Sequence, residues 1–204
     1  MSTPEPITWL ANPRAATIAK SPAVEKYFPA GISEKTRSFH SKIPAFKVTP
    51  LKSLNRLASL IGVGKIWVKD EADRLSLGSF KVLGGSYAIY QTIRKMIGNP
   101  EGFTFDDLSN PEVRKKVGDL TFAAATDGNH GRGVAWAATR LGFKSVIYVH
   151  KLTSEARINA IASNGAEVKV IDGNYDDAVR QVNEDAQKNG WQVISDTSWE
   201  GYEE

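Results

Sequence analysis

A lysine stands close to two glycines in the segment SFKVLGG, residues 79–85, where a polar loop runs into a helical pattern. We predict that Lys81 lies at the start of this helix. The positive potential there disfavours the ammonium form of a lysine, and the free amine is the form that attacks a carbonyl to give an imine. The alternative is an exposed helix lysine without chemistry. Gly84 and Gly85 each cost about 1 kcal/mol in a helix interior relative to alanine, which indicates that a flat ligand or another backbone lies close.

A second glycine-rich segment, TDGNHGRG at residues 126–133, follows an apolar run at 120–125 that predicts a strand. Backbone N–H groups at a strand-to-helix turn bind anions, and glycines let a flat ligand approach the backbone. An Asp-Gly turn that only caps a helix is the alternative. Gly128, Gly131 and Gly133 are spaced G-x-x-G-x-G, which is not the G-x-G-x-x-G of dinucleotide-binding proteins. The segment therefore argues against an NAD site.

The elements that must position these segments are alternating strands and helices in the second half of the chain. Glycines stand where the helices should end, and the short gaps favour right-handed crossovers between parallel strands. The predicted strands are 120–125, 145–149, 167–171 and 192–195, and the predicted helices are 131–141, 154–164 and 175–189. We therefore predict an α/β fold with a parallel sheet, in which ligands bind beyond the carboxyl ends of the strands.

The first half of the chain gives weaker patterns, and residues 1–48 stay unassigned. Thr49-Pro50 is typical of a helix N-cap and first turn, which predicts a helix that ends at Gly62. Its apolar face would comprise Leu51, Leu54, Leu57, Ala58 and Ile61. A short strand is predicted at 65–69. The acidic residues that follow are predicted to lie in a solvated loop: Asp70, Glu71 and Asp73.

Composition excludes several classes of function. The 204 residues are 41% hydrophobic, which is enough for a globular core. Lysine and arginine number 26 against 23 acidic residues and no basic cluster has interleaved aromatics, so we expect no nucleic-acid partner. Because cysteine is absent, disulfides and a thiolate nucleophile are excluded, and we expect no metal site. Neither a signal peptide nor a membrane-length apolar run is evident, which favours a soluble, cytoplasmic protein without a membrane partner.

The segments SFKVLGG at 79–85 and TDGNHGRGVAWAA at 126–138 together resemble the fold-type-II pyridoxal-phosphate enzymes of the tryptophan-synthase-β and threonine-dehydratase superfamily. TPL at 49–51 and WVKDE at 67–71 match the elements that usually precede them there. Within the superfamily the sequence most resembles the diaminopropionate ammonia-lyases, because an aspartate opens DGNHGRG and SDTSWEGYEE follows at 195–204. The resemblance implies a three-layer open parallel sheet, a pyridoxal 5'-phosphate cofactor, a small amino-acid substrate and a homodimer.

The resemblance also assigns roles to individual residues. It implies that Lys81 forms the covalent imine with the cofactor and that Asn129 hydrogen-bonds the cofactor's 3′ oxygen. It implies that Asp127 and Asp196 are the acid/base carboxylates, although an aspartate after a strand often only caps a turn. The predicted cofactor-binding residues are Lys81, Gly128, Asn129 and His130. We expect β-elimination of ammonia from 2,3-diaminopropionate to give pyruvate, with Asp127 serving the D-isomer and Asp196 the L-isomer.

Three alternatives stay open at this point. A serine or threonine dehydratase would use the same cofactor, but most relatives carry a small or hydroxyl residue where Asp127 stands. A non-catalytic fragment and a nucleotide-binding α/β module without imine chemistry are the other two.

The resemblance further implies that the chain is the N-terminal part of a longer enzyme whose larger domain is truncated. By the layout of the superfamily, residues 1–85 belong to the larger, cofactor-binding domain, 86–198 form the smaller α/β domain, and 199–204 begin the remainder. Burial of apolar surface contributes about 25 cal/mol per Å², against a net stability of only about 5–15 kcal/mol. We therefore expect the isolated chain to be unstable or to aggregate through apolar residues that lack partners, namely Leu51, Leu54 and Trp67.

Overall fold

The computed structural model describes residues 12–13, 22–198 and 202. The chain divides into two compact units, Met1–Arg37 and Ser38–Glu204. In the described chain, helix α1 spans Pro22–Tyr27 and helix α2 spans Ile32–Ser41. Of the unassigned segment 1–48, residues 1–11 and 14–21 lie outside the described residues. All the residues that the sequence predicts for the site belong to the second unit.

The second unit alternates helices and strands along the chain. In order they are β1 (Leu51–Ser53), α3 (Asn55–Leu60), β2 (Trp67–Lys69), α4 (Lys81–Met96), α5 (Pro111–Val117), β3 (Thr121–Ala125), α6 (Asn129–Arg140), β4 (Lys144–His150), α7 (Glu155–Ala162), β5 (Glu167–Ile171), α8 (Tyr175–Asn189) and β6 (Gln192–Val193). Short 3-10 turns lie at Arg74–Ser76 and Asp106–Ser109. From β3 to β6 the predicted strands and helices are confirmed, with differences of a few residues at their ends.

The main sheet is parallel and has helices on both faces. Its strand order is β5-β4-β3-β6. Phe122 and Ala124 of β3 share one hydrophobic core with residues of α4 and α6. Ala123 and Ala125, which point to the opposite face of the strand, pack instead with Ala178 of α8. The predicted α/β fold with a three-layer open parallel sheet is therefore confirmed.

The order of the strands places a crevice between β3 and β6. From β3 the chain proceeds to β4 and β5 on one side of the sheet, and it then returns to β6 on the other side. In open α/β sheets ligands bind at such a switch point, outside the carboxyl ends of the strands. The loop after β3 and the residues after β6 are therefore the expected walls of a ligand site.

The helix predicted to begin at Thr49 is wrong. Residues Leu51–Ser53 instead form β1, which pairs antiparallel with β2 and sets Leu51 opposite Lys69. Helix α3 begins only at Asn55 and ends just before Gly62, as predicted. The pairing with β2 supplies the backbone hydrogen bonds that the first helical turn would have made, so a non-local contact outweighs the local N-cap pattern.

The loop after β2 is not uniformly solvated as predicted. The carboxylate of Glu71 accepts hydrogen bonds from the buried Arg74, whose Nε lies 2.7 Å away, and from Thr49. The Arg74 guanidinium holds the pKa of Glu71 below its ordinary value. This cluster fixes a loop in which Leu75 and Ser76 adopt left-handed φ angles of 49° and 60°. The loop leads directly to Lys81.

The hairpin of β1 and β2, with α3 between them, leaves many apolar side chains in solvent. The exposed large hydrophobic residues of this segment, residues 48–68, are Val48, Leu51, Leu57, Leu60, Ile61, Val63, Trp67 and Val68. We call this the hairpin surface. Leu60 is 81% exposed and Trp67 is 56% exposed. Soluble monomers rarely leave a large apolar patch uncovered, so we expect this surface to associate.

We expect the chain to self-associate through the hairpin surface. Sedimentation velocity over a concentration series should give a weight-average mass that rises with concentration. The Leu60→Lys variant should lower the association, because it places a charge in the surface. Leu152, which is also 81% exposed but lies outside the surface, provides the matched control. If Leu152→Lys lowers association as much as Leu60→Lys, the hairpin surface is not the contact.

Candidate functional site

Lys81 is the first residue of α4, as the sequence predicts. Its backbone N–H donates to Ser79 Oγ at 3.3 Å, which links the preceding loop to the helix start. Its Nζ donates to Asp196 Oδ2, and the Lys81 side chain is 35% exposed. The amine therefore reaches from α4 to the chain that follows β6, across the crevice between β3 and β6.

Glycines set the contact between α4 and α6. A Cβ on Gly133 would lie 2.8 Å from Val82 Cα, which no folded chain tolerates without movement of the backbone. A Cβ on Gly85 would lie 3.5 Å from the backbone N of Val134 and 3.6 Å from the carbonyl carbon of Gly133, which confirms the prediction that another backbone lies close to this glycine. Gly84 has nothing within 4 Å of its Cβ position, so no other backbone lies close to it, and the flat ligand remains a prediction there. The helix of Lys81 thus rests directly on the helix of the second glycine-rich segment.

The turn between β3 and α6 is organised by Thr126. Its buried Oγ1 accepts hydrogen bonds from the N–H groups of Gly128 at 2.9 Å and Gly131 at 3.1 Å. Gly128 has a φ of 150°, a conformation open to glycine, and the side chain of Arg157 lies against it. Asn129 then begins α6 with an exposed side chain. The helix start with its positive end therefore opens into the crevice.

His130 ties the α6 turn to the chain after β6. Its Nε2 lies 2.8 Å from the carbonyl oxygen of Ile194, and because a carbonyl only accepts, Nε2 carries the hydrogen. Burial holds the pKa of His130 below its ordinary value, although Ile194 and Asp196 act in the opposite direction. Nδ1 of this neutral ring faces Asp196 Oδ2 at 3.9 Å. Ile194 also donates its N–H to Ala123 at 2.8 Å, so the residues that lead to Asp196 are held on two sides.

Asp127 has partners different from those of Asp196. Its Oδ1 lies 3.0 Å from Nε2 of His150, the last residue of β4. Its carbonyl oxygen accepts from Arg157 Nη1 at 3.3 Å. The side chain of Asp127 is 64% exposed, whereas that of Asp196 is 25% exposed. The two carboxylates therefore sit in unlike surroundings at the two edges of the crevice.

A cavity of about 560 Å³ lies at this point of the fold. Its walls are formed by Lys81, Thr126, Asp127, Gly128, Asn129, His130, Arg157, Tyr175, Asp196 and Thr197. The structure thus brings together all six residues that the sequence predicts, while the roles assigned to them remain predictions. The wall residues that sequence reasoning missed are Thr126, Arg157, Tyr175 and Thr197. Thr126 and Thr197 each follow a strand, and that position is the signal that could have found them.

Among the described residues, no cluster of three or more histidine, aspartate or glutamate side chains is arranged to hold a metal ion. Within the same part of the chain, no helix has the length and apolar character needed to cross a bilayer.

The sequence of the chain is similar to those of known proteins. The family model "Pyridoxal-phosphate dependent enzyme" matches residues 43–204. The chain is 48% identical over 176 residues to a diaminopropionate ammonia-lyase of Escherichia coli and 45% identical over 174 residues to one of Salmonella typhimurium. These alignments cover 86% and 85% of the chain but 43% of each relative. The chain therefore spans less than half the length of the curated relatives it matches.

The fold is similar to that of a solved enzyme as well. The crystal structure of Escherichia coli diaminopropionate ammonia lyase in complex with D-serine superposes with a TM-score of 0.77 at 48% sequence identity. The superposition covers 84% of this chain and 43% of that one.

Proposed function

The chain belongs to the family of pyridoxal-phosphate-dependent enzymes, and on that premise we propose that its site supports the elimination of ammonia from 2,3-diaminopropionate. The overall reaction consumes one water and gives pyruvate and two molecules of ammonia. The observation that carries the proposal is the convergence of a lysine amine, an asparagine at a helix start and two carboxylates on one cavity. The similarity to diaminopropionate ammonia-lyases supports the choice of substrate.

Two side chains of the cavity suit the aldehyde and the ring of pyridoxal phosphate. Lys81 offers the primary amine to which this aldehyde binds, and Asn129 offers an amide that can hydrogen-bond a ring oxygen. Gly128, the residue before α6, carries no side chain that would fill the cavity at this helix start. When bound, the cofactor supplies an electron sink that stabilises negative charge at the substrate Cα. Lys81 and Asn129 are the residues that would hold it.

The two carboxylates give the chain two bases. We assign Asp127 to the proton of the D-isomer and Asp196 to that of the L-isomer, because the Cα hydrogen of the two isomers points in opposite directions. Asp196 Oδ2 already bonds the Lys81 amine, so it is also placed to receive the proton that this nitrogen releases when it reacts. Neutral His130 holds the carbonyl of Ile194 and so keeps Asp196 facing the cavity.

The assignment of the two carboxylates is tested by their amide variants. We expect Asp127→Asn to lower pyruvate formation from D-2,3-diaminopropionate by about 100-fold or more, the usual worth of a general base, and to leave the L-isomer nearly unchanged. Asp196→Asn should show the reverse preference. The measurement is pyruvate release with each pure isomer in the presence of pyridoxal phosphate. If Asp127→Asn lowered the rate of pyruvate release equally for both isomers, the division of roles would be contradicted.

The same assay separates the alternatives. Faster pyruvate release from serine than from 2,3-diaminopropionate would identify a dehydratase. If the folded chain binds pyridoxal phosphate but releases no pyruvate from any of these substrates, the chain is a binding fragment rather than a lyase. Pyruvate release from both isomers of 2,3-diaminopropionate, abolished by replacement of Lys81, is the outcome that the proposal requires.

A further inference from the structure

The last residue of β4 reaches across to the carboxylate that follows the neighbouring strand β3. The two strands are paired in parallel up to Ala125 and Tyr148, and the N–H of Thr126 continues the ladder to the Tyr148 carbonyl at 3.0 Å. The residues that follow β3 and β4 therefore leave the sheet at the same edge. His150 Nε2 lies 3.0 Å from Asp127 Oδ1, and the histidine side chain is 19% exposed.

The hydrogen bonds of the ring fix its tautomer. The N–H of Leu152 donates to His150 Nδ1 at 3.2 Å. Nδ1 must then be an unprotonated acceptor, so the hydrogen of the neutral ring sits on Nε2 and points at Asp127. The ring thus donates to the carboxylate through Nε2.

On this geometry we propose that His150 is a positioning residue that holds the carboxylate of Asp127 in the orientation its role as a base requires. The inference rests on the proposed function, which gives Asp127 that role. His150 holds Oδ1, and among the described residues Oδ2 has no hydrogen-bond partner and stays available for the substrate proton. Arg157 fixes the backbone of Asp127 by donating a hydrogen bond to the Asp127 carbonyl oxygen. Because a reacting group works only within narrow limits of position, loss of the Nε2 donor lowers the rate of the step that Asp127 serves.

The proposal does not extend to the other carboxylate. Asp196 bonds Lys81 and faces His130. Among the described residues, His150 makes no hydrogen bond to Asp196 or to these two partners. His150 should therefore matter for one isomer of the substrate and not for the other. A residue that only stabilised the fold would affect both isomers alike.

Two amide variants separate the donor of His150 from its acceptor. The side-chain amide of Gln reaches the position of Nε2 and can still donate to Asp127, whereas the amide oxygen of Asn reaches the position of Nδ1 and can still accept from Leu152. We expect His150→Asn to lower kcat for D-2,3-diaminopropionate by about tenfold, which corresponds to about 1.4 kcal/mol, with little change in KM. His150→Gln should stay within about twofold of the unaltered chain, and the L-isomer should be insensitive to both variants. Two outcomes would mean that His150 only supports the turn at Leu152. One is a lower kcat in His150→Gln than in His150→Asn, and the other is an equal decrease of kcat for both isomers.

A measurement that needs no activity tests the pairing itself. The chain has three histidines, so the nitrogen NMR signals of its imidazole rings can be assigned with the His150→Gln variant. We expect His150 to carry its hydrogen on Nε2, and we expect the exchange of this hydrogen with water to become faster in Asp127→Ala. Hydrogen on Nδ1, or exchange unchanged by Asp127→Ala, would overturn the proposal. If the unaltered chain releases no pyruvate, the proposed function fails, while the NMR result still decides whether His150 holds Asp127.

Discussion

Replacing Lys81 with alanine is expected to abolish the yellow absorbance that develops when the chain is mixed with pyridoxal phosphate. The amine of Lys81 lies in the cavity with Asn129, and no other lysine lines it among the described residues. The imine with a lysine absorbs at longer wavelength than free pyridoxal phosphate and exists only while the carbon–nitrogen bond does, so once unbound cofactor is removed the loss should be complete and not partial. The measurement is an absorbance titration of both proteins at equal concentration.

A matched lysine controls for labelling of the surface. Lys151 is paired with Asp172 at 2.8 Å, as Lys81 is paired with Asp196, but it lies outside the cavity and is 57% exposed. Lys151→Ala should therefore keep the full absorbance. Equal absorbance from Lys81→Ala and the unaltered chain would remove Lys81 from the proposed site. A folded chain that never absorbs, yet gains thermal stability from a nucleotide, would favour the nucleotide-binding alternative.

Replacing Gly133 with alanine is expected to destabilise the fold by about 1–3 kcal/mol, which is a large part of a typical net stability of about 5–15 kcal/mol. The added Cβ would lie 2.8 Å from Val82 Cα and 2.9 Å from Val82 N, which are backbone atoms that a rotamer change cannot move. The two helices would have to separate. Urea unfolding should give a lower midpoint with a nearly unchanged slope.

Gly84 supplies the matched control for this substitution. It also lies in a helix of this pair, but nothing lies within 4 Å of its Cβ position. Gly84→Ala should therefore stabilise the chain by about 0.5–1 kcal/mol, because alanine loses less backbone entropy on folding. If Gly133→Ala stabilised the chain as much as Gly84→Ala, helix propensity, and not the contact between α4 and α6, would set the result.

The alternation of strands and helices after residue 120 could be predicted because its signals are local. Apolar runs of strand length end at turns, and glycines follow α6, α7 and α8 where the helices stop. The N-terminal hairpin could not be predicted in this way. Thr49-Pro50 has the local pattern of a helix start, but the pairing of β1 with β2 depends on residues far along the chain. Non-local partners decide such short segments.

The candidate site could be predicted only in part for a similar reason. Lys81 and Asn129 stand in segments whose residue types signal chemistry on their own. His150 and Arg157 carry no such signal, because the role of each depends on Asp127, which lies in the turn after a different strand. Their convergence depends on β4 being the neighbour of β3, and the order of strands is a property of the whole sheet. The division into domains at residues 85 and 198 remains a prediction.

The contact of Gly133 with Val82 has a consequence for the substrates that the cavity can admit. Lys81 and Asn129 lie at the starts of α4 and α6, two helices whose backbones are in direct contact. The distance between these two side chains therefore cannot increase to admit a larger ligand. Adjustment to a ligand of another size must come from side chains elsewhere in the lining, among them Arg157, Tyr175 and Thr197.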